Sequence, residues 1–377
     1  MRLKIKDRRF DFCAQAPDSK SVYHRELIVR FLHGIKDDLS VLVSDSKDIA
    51  ATKECLRALS SGENELDCNE SGSTLRFMIP VACAYLCSLG KEVNIIFKTA
   101  GRLFDRPLDD LEKCLNAHGI IIKKDDKTRN FIVEGNLSEG TFVIDGSVSS
   151  QYVSGLMMAL IVLPHSTLEV TGTASSVHYI ELTKSVIDKY KDGVTEDLNE
   201  LHIEGDWSGG AFLLCLNELI NGRVEVGNLN PDSVQGDKEI TGFIGHAGEE
   251  HLEWDCKDIP DIVPYMAVLA AFKNKVTVFK NIGRLRVKES DRVAAIREQL
   301  GLAGIRTEET DEELTVYGKD NDEARDIIKL ESYNDHRMVM SAILIAAALK
   351  CDLEIDTIDP VDKSFPGLRD IIREEFS

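Results

Sequence analysis

The chain has 377 residues, 43% hydrophobic and 29% charged, which leaves room for two domains with sizeable cores and argues against a disordered or fibrous chain. Its formal net charge of −20 argues against nonspecific binding to nucleic acid or an anionic membrane, because the summed field repels phosphate. A small anionic ligand would need a local basic pocket, and finding one becomes the test of any such function.

Nine cysteines are an odd number and are scattered, with no Cys-x-x-Cys pair and no His-rich cluster, so reduced thiols and no metal site are expected. The longest apolar run, Met338 to Leu349, is interrupted by Ser341 and is short for a bilayer span, and the first residues carry no apolar signal segment. The expectation is a cytoplasmic protein without membrane contacts. Neither a Gly-x-x-x-x-Gly-Lys-Ser/Thr loop nor a Gly-x-Gly-x-x-Gly turn opens a helix, so no nucleotide cofactor is expected.

In chain order, a two-helix theme recurs at a period of roughly 63 residues. Strongly apolar helices are predicted to open at Ser21, Ser71, Ser149, Trp207, Asp261 and Asn334. They alternate with amphipathic helices that begin near Asp48, Arg106, Ser176, Gly236, Glu289 and Pro366. Two of the gaps between an amphipathic helix and the next apolar one are long. The first holds strands at Ile120–Ile122, Phe131–Val133 and Thr141–Ile144, and the second at Gly304–Arg306, Glu313–Val316 and Ile327–Leu330. The shorter gaps lack such a hairpin. An α/β unit used six times, three per domain, accounts for the length.

The densest charge cluster, Arg286 to Arg292, immediately precedes one amphipathic helix, whose N-cap is predicted at Ser290 or Asp291 and whose apolar face carries Val293, Ile296 and Leu300. Small polar residues at helix starts, Asp261 included, are ordinary caps when taken singly. Less ordinary is that Lys20, Arg25, Arg76, Arg106, Lys288, Arg292, Arg337 and Lys363 all sit at or near such starts in an acidic chain. If the starts converge, free backbone N–H groups and cations together make an anion site.

The motifs Lys20-Ser21 with Arg25, Gly72-Ser73-Thr74-Leu75-Arg76, Arg102 with Arg106-Pro107, Ser149-Ser150-Gln151, Ser176 with Tyr179, Gln235-Gly236-Asp237, Asp258 with Pro260-Asp261, Lys288-Glu289-Ser290-Asp291-Arg292, Asn334-Asp335-His336-Arg337 and Lys363-Ser364-Phe365-Pro366 follow one another along nearly the whole chain. In that order and spacing the chain resembles the enolpyruvyl transferase family, in its 5-enolpyruvylshikimate-3-phosphate synthase branch.

The resemblance implies an α/β fold, a two-domain inside-out α/β barrel of six βαβαββ-type units, three per domain, several here lacking a hairpin. It places residues 18–205 in an inserted domain with most of the shikimate 3-phosphate contacts. Residues 1–17 and 206–377 form the other domain, with most of the phosphoenolpyruvate contacts, and the active site lies in the cleft between the two. It further implies a monomer with no metal and no cofactor, and transfer of the enolpyruvyl group of phosphoenolpyruvate to the 5-hydroxyl of shikimate 3-phosphate.

By the same resemblance Asp261 is the base, Glu289 the proton-transfer residue, and Lys20 an assisting phosphate ligand. Shikimate 3-phosphate would meet Lys20, Ser21, Arg25, Ser149, Ser150, Gln151, Ser176, Tyr179, Asp261 and Lys288. Phosphoenolpyruvate would meet Lys20, Gly72, Arg106, Gln151, Arg292, His336, Arg337 and Lys363. Each substrate carries a phosphomonoester of about −1.5 to −2 charge and a carboxylate, so a collection of cations on this scale is chemically reasonable.

Departures from the family pattern are His24, His178, Arg284 and Phe77. The branch of the family that uses UDP-N-acetylglucosamine carries a cysteine in the region of Gly101 to Arg106, and none stands there. A noncatalytic anion-binding module on the same fold is the other alternative, against which the joint presence of Asp261, Glu289 and Lys20 speaks.

Overall fold

The six apolar segments form the helices Lys20–Leu32, Gly72–Ser88, Ser150–Ala159, Trp207–Leu219, Val263–Lys273 and His336–Leu349 in the computed structural model, which describes residues 1–6, 9–41, 46–172, 177–193, 200–220, 222–319 and 325–376. Most are apolar around much of their circumference and lie in hydrophobic cores. Ser71, Ser149, Asp206 and Asp335 cap their helices with the side chain, each accepting a backbone N–H from the first turn. The amphipathic set is Lys47–Ser60, Asp109–Asn116, Val177–Lys189, Arg292–Leu302 and Leu368–Glu375, while near Gly236 a short 3-10 turn leads into Ile240–Gly245.

Local chemistry moves three of the predicted boundaries. Asp261 is not a cap: its helix begins at Val263 behind Ile262, with Pro264 in the first turn, where a missing N–H is tolerated. Asp291 alone caps the Arg292 helix, accepting from the Val293 and Ala294 N–H groups at 3.1 Å each, whereas the Ser290 hydroxyl turns to Asp335. The strand expected at Gly304–Arg306 forms at Thr307–Glu309, because Gly304 takes a positive φ in the turn that ends the preceding helix.

The strands make five small sheets among the described residues. Two of them share one topology. In the first, Glu65–Asp67 runs parallel to Val93–Lys98, which pairs antiparallel with Asn130–Gly135 and through it with Ile120–Asp125. In the second, His251–Asp255, Val276–Lys280, Glu313–Tyr317 and Thr307–Glu309 repeat that pattern. The others are smaller: Thr141–Asp145 with Thr167–Thr171, Phe10–Gln15 with Gly222–Gly227, and a three-stranded sheet of Arg2–Leu3, Asp352–Ile355 and Ile327–Leu330. The four-stranded sheets occur where the sequence left long gaps.

The chain divides into two units, Met1–Asp18 with Glu204–Ser377, and Ser19–Ile203. Each has its own core. The N-terminal segment is tied into the first unit by Asp352, whose carboxylate accepts from the Ile5 and Lys6 N–H groups and from the Arg2 guanidinium.

In the Ser19–Ile203 unit the Gly72 and Ser150 helices cross closely at Gly155, where an added Cβ would stand 2.8 Å from the Arg76 carbonyl oxygen. Only glycine admits that approach without moving backbone. All nine cysteines are free and only Cys13 is exposed. Among the described residues, no helix is long and apolar enough to cross a membrane.

Candidate active site

Within each unit the N-terminal ends of the three apolar helices converge. In the Ser19–Ile203 unit, Gln151 on the Ser150 helix accepts from Arg76 Nη1 at 2.7 Å and donates to Ser73 Oγ at 2.9 Å, so the starts of the Gly72 and Ser150 helices are joined by side chains. Arg106 lies over the first residue of the Gly72 helix, where a Cβ on Gly72 would meet its Nη1 at 2.5 Å. The absent side chain lets a guanidinium stand at a helix N-terminus, an arrangement suited to holding an anion against backbone N–H groups.

The Lys20–Leu32 helix enters the same group. Lys20 Nζ donates to Asp48 Oδ2 at 3.2 Å. Arg25, 2% exposed, donates through Nε to Thr183 Oγ1 (2.7 Å), through Nη1 to the Ser21 carbonyl (2.6 Å), and through Nη2 to Ser154 Oγ and the Tyr179 carbonyl (3.2 Å each). Among the described residues no carboxylate forms an ion pair with it, and burial lowers its pKa to about 10. Ser149 is occupied as a helix cap, Ser150 is buried, and Tyr179 is half-buried with Arg25 5.9 Å from its ring centre. Ser176 lies outside the described residues.

In the other unit the organising side chain is Arg292, 1% exposed. Its Nε donates to Asp335 Oδ2 at 2.8 Å, Nη1 to Asp261 Oδ1 at 2.7 Å, and Nη2 to Glu289 Oε2 at 2.6 Å. The planar fork suits this arrangement, since it presents fixed donors in several directions. Lys288 Nζ adds a second cation 3.2 Å from Asp261 Oδ1. Burial by itself would raise the Asp261 pKa, but Lys288, Arg292 and Arg337 outweigh it and hold the carboxyl well below the usual range.

Arg337 is buried and bound to neutral groups, the Ser208 carbonyl and hydroxyl at 3.0 and 2.7 Å and the Tyr265 hydroxyl at 3.0 Å. Through it the starts of the Trp207, Val263 and His336 helices are drawn together. His336, also buried, has Nε2 3.1 Å from Ser364 Oγ, while Lys363 is exposed at the end of the 3-10 turn Asp359–Lys363.

Two residues escaped the sequence reading. Asp335, fully buried, caps the His336 helix by accepting the Arg337 N–H at 2.8 Å while it also binds Arg292 and the Ser290 hydroxyl. One carboxylate thereby aims one arginine's side chain and the helix that carries the other. Its place within Asn334-Asp335-His336-Arg337 was the available signal. Asp237 was legible only as a motif letter; burial, reinforced by Asp261 and Asp206, pushes its carboxyl up to about 8. The two residues before Asp335, Tyr333 and Asn334, both have left-handed φ values, 51° and 52°, a costly backbone for non-glycine residues. Ser332 anchors this turn through its N–H and hydroxyl on Asp356, at 2.7 and 2.8 Å.

His24 sits behind the Gly72 helix start, its Nδ1 2.7 Å from Thr52 Oγ1. Thr52 continues to Thr74, and Thr74 to the cap Ser71. Burial is the main cause that lowers the His24 pKa to about 4, with Asp48 opposing it. Because the folded state resists protonation, the unfolded chain binds the proton first, near pH 6.5. Stability is therefore retained above pH 6.5 and lost as pH falls toward about 4, by roughly 3 kcal/mol from this group. Urea midpoints across that range are expected to fall more steeply for the natural protein than for His24→Gln; parallel curves would refute the assignment.

Among the described residues no group of three or more His, Cys, Asp and Glu side chains is placed to hold a metal ion. The chemistry this arrangement offers is anion binding by buried arginines next to carboxylates in different protonation states.

Comparison with known proteins agrees with this picture. Residues 27–372 match the family model of EPSP synthase (3-phosphoshikimate 1-carboxyvinyltransferase). A 3-phosphoshikimate 1-carboxyvinyltransferase of Clostridium kluyveri is 32% identical, over 93% of this chain and 92% of that protein. The enzyme of the same name from Clostridium beijerinckii is 31% identical, over 98% and 96%. Among solved structures, EPSP synthase from Acinetobacter baumannii superposes with a TM-score of 0.75 at 17% identity, covering 100% of this chain and 98% of that one. The enolpyruvyl transferase NikO from Streptomyces tendae gives 0.65 at 11% identity, with the same coverage. These structural likenesses establish the fold as the α/β fold of the enolpyruvyl transferases. The matched span and the identities establish the rest: the chain belongs to the EPSP synthase (3-phosphoshikimate 1-carboxyvinyltransferase) family.

Proposed function

We propose that this chain transfers the enolpyruvyl group of phosphoenolpyruvate to the 5-hydroxyl of shikimate 3-phosphate, releasing phosphate. The observation that carries the proposal is the double convergence of helix starts, each bringing buried arginines together with neutral hydrogen-bond acceptors or carboxylates. Lys20, Gly72, Arg106, Gln151, Arg292, His336, Arg337 and Lys363 are the set read for phosphoenolpyruvate. Lys20, Ser21, Arg25, Ser149, Ser150, Gln151, Ser176, Tyr179, Asp261 and Lys288 are the set read for shikimate 3-phosphate.

The reaction needs a base at the 5-hydroxyl and an acid at the methylene carbon. The hydroxyl oxygen adds to C2 of phosphoenolpyruvate as its proton passes to Asp261, and the methylene carbon takes a proton from Glu289. In the second half the new methyl group returns a proton to Glu289 as the bond from C2 to the phosphate oxygen breaks, and the proton held by Asp261 leaves with the phosphate. Lys20 assists by neutralising the departing phosphate. Asp261 is held ionised by Lys288, Arg292 and Arg337 against the effect of burial. When substrate anions draw those cations away, its carboxylate becomes a stronger base, so basicity rises with the substrates in place.

Phosphate release measured with shikimate 3-phosphate alone, phosphoenolpyruvate alone and the two together tests the proposal. Release is expected only with the pair. Silence with the pair, and turnover when UDP-N-acetylglucosamine replaces shikimate 3-phosphate, would reassign the chain to the other branch of the enolpyruvyl transferases.

A further inference from the structure

We propose that Glu26, Arg30 and Tyr190 form a buried clamp that positions Tyr179 for its substrate, a role that rests on the reading of Tyr179 as a shikimate 3-phosphate contact. The Val177–Lys189 helix, which carries Tyr179, buries only Leu182, Thr183 and Val186. Ile180 and Ile187, half-buried against the same core, extend this strip, so packing sets which face the helix buries. Polar contacts to the Lys20–Leu32 helix supply what packing does not, and they come in two places.

Near the start, Arg25 grips the Thr183 hydroxyl and the Tyr179 carbonyl. At the far end Glu26, 4% exposed in its side chain, accepts from Lys189 Nζ at 2.8 Å and from the Tyr190 hydroxyl at 2.6 Å. The fully buried Tyr190 in turn accepts from Arg30 Nη1 at 3.3 Å, and Arg30 is locked by a fork of bonds of 2.6 to 3.0 Å to Asp37. Glu26 and Arg30 are four residues apart, on one face of their helix, with Tyr190 spanning them.

Thr183 acts as the pivot. Tyr179 lies about 6 Å from it along the helix and Lys189 about 9 Å beyond it on the other side, at 1.5 Å per residue. A swing of about 1 Å at the released end therefore moves the Tyr179 end by somewhat less, an offset large enough to weaken oriented binding about tenfold. Among the described residues the side-chain hydrogen bonds of Glu26 and Tyr190 join only Lys189, Arg30 and each other, so their influence on Tyr179 passes along the Val177–Lys189 helix.

Isothermal titration of the full chain with shikimate 3-phosphate, in the natural background and in Tyr179→Ala, separates positioning from simple destabilisation. Glu26→Gln is expected to raise Kd about tenfold in the natural background and less than about twofold in Tyr179→Ala. Tyr190→Phe, which keeps the ring in the core and removes only the hydroxyl, is expected to do the same and carries the test if Glu26→Gln does not fold. Equal losses in both backgrounds, or none in the natural one, overturn the clamp while leaving Tyr179 as a contact. An unchanged Kd in Tyr179→Ala alone overturns the assignment of Tyr179 and the clamp with it.

Discussion

Arg292→Met is expected to abolish turnover and to destabilise the unit that contains it by about 3–5 kcal/mol, read as a lowered urea midpoint. Methionine replaces the volume of the stem but none of the donors that reach Asp335, Asp261 and Glu289. Asp261 keeps Lys288, and Glu289 is 40% exposed and can turn to water. Asp335 has less recourse: it is fully buried and retains the Ser290 hydroxyl, the Arg337 N–H and, at 3.7 Å, the His336 Nδ1. Most of the loss should come from that stranded charge.

Adding Asp335→Asn to Arg292→Met tests the point directly. The amide oxygen can still cap the helix, so stability should recover by several-fold more than experimental error while turnover stays absent. A midpoint that does not recover would show that lost packing, and not the uncompensated carboxylate, dominates. The alternative substitution Arg292→Lys keeps the charge but cannot serve three carboxylates with a planar fork, and should fall between the two.

Glu289→Gln is expected to lower kcat by about 10²- to 10⁴-fold with shikimate 3-phosphate affinity close to that of the natural protein. The geometry favours a clean experiment. Glu289 meets Arg292 through one oxygen, Oε2, and a glutamine carbonyl oxygen can accept the same 2.6 Å bond. The side chain therefore keeps its anchor and loses its ability to give and take a proton. Isothermal titration showing binding lost in proportion to turnover would make Glu289 a ligand-binding or structural residue and remove it from the proton-transfer role.

Much of this was legible in the chain because it depends on local pattern. Apolar periodicity announced all six core helices, and the long gaps announced three strands each, of which two join a four-stranded sheet and the third, Thr141–Asp145 or Ile327–Leu330, joins another sheet; helix and strand periods differ and each needs only neighbouring residues to be recognised. Caps at Ser71, Ser149 and Asp291 follow from side chains that bond their own first turn. The cations were visible as residue types, and their gathering at helix starts in a chain of charge −20 pointed to an anionic ligand.

What each polar group is bonded to was not legible, because partners come from segments far apart in sequence. Asp261 reads as a cap and is instead an ion-pair partner of Lys288 and Arg292. Ser290 reads as a cap and reaches a helix 45 residues on. Asp335 is one letter of a motif until burial leaves it the shared support of two arginines. Glu26 and Tyr190, 164 residues apart, look like an ordinary charged residue in a helix and an ordinary aromatic one at a helix end until the fold buries them against each other. Sequence alone determined which residues could form helices, strands and an anion site. Only the tertiary structure decided which charges lose water and must find a partner, because desolvation is a property of the packed neighbourhood and not of the residue.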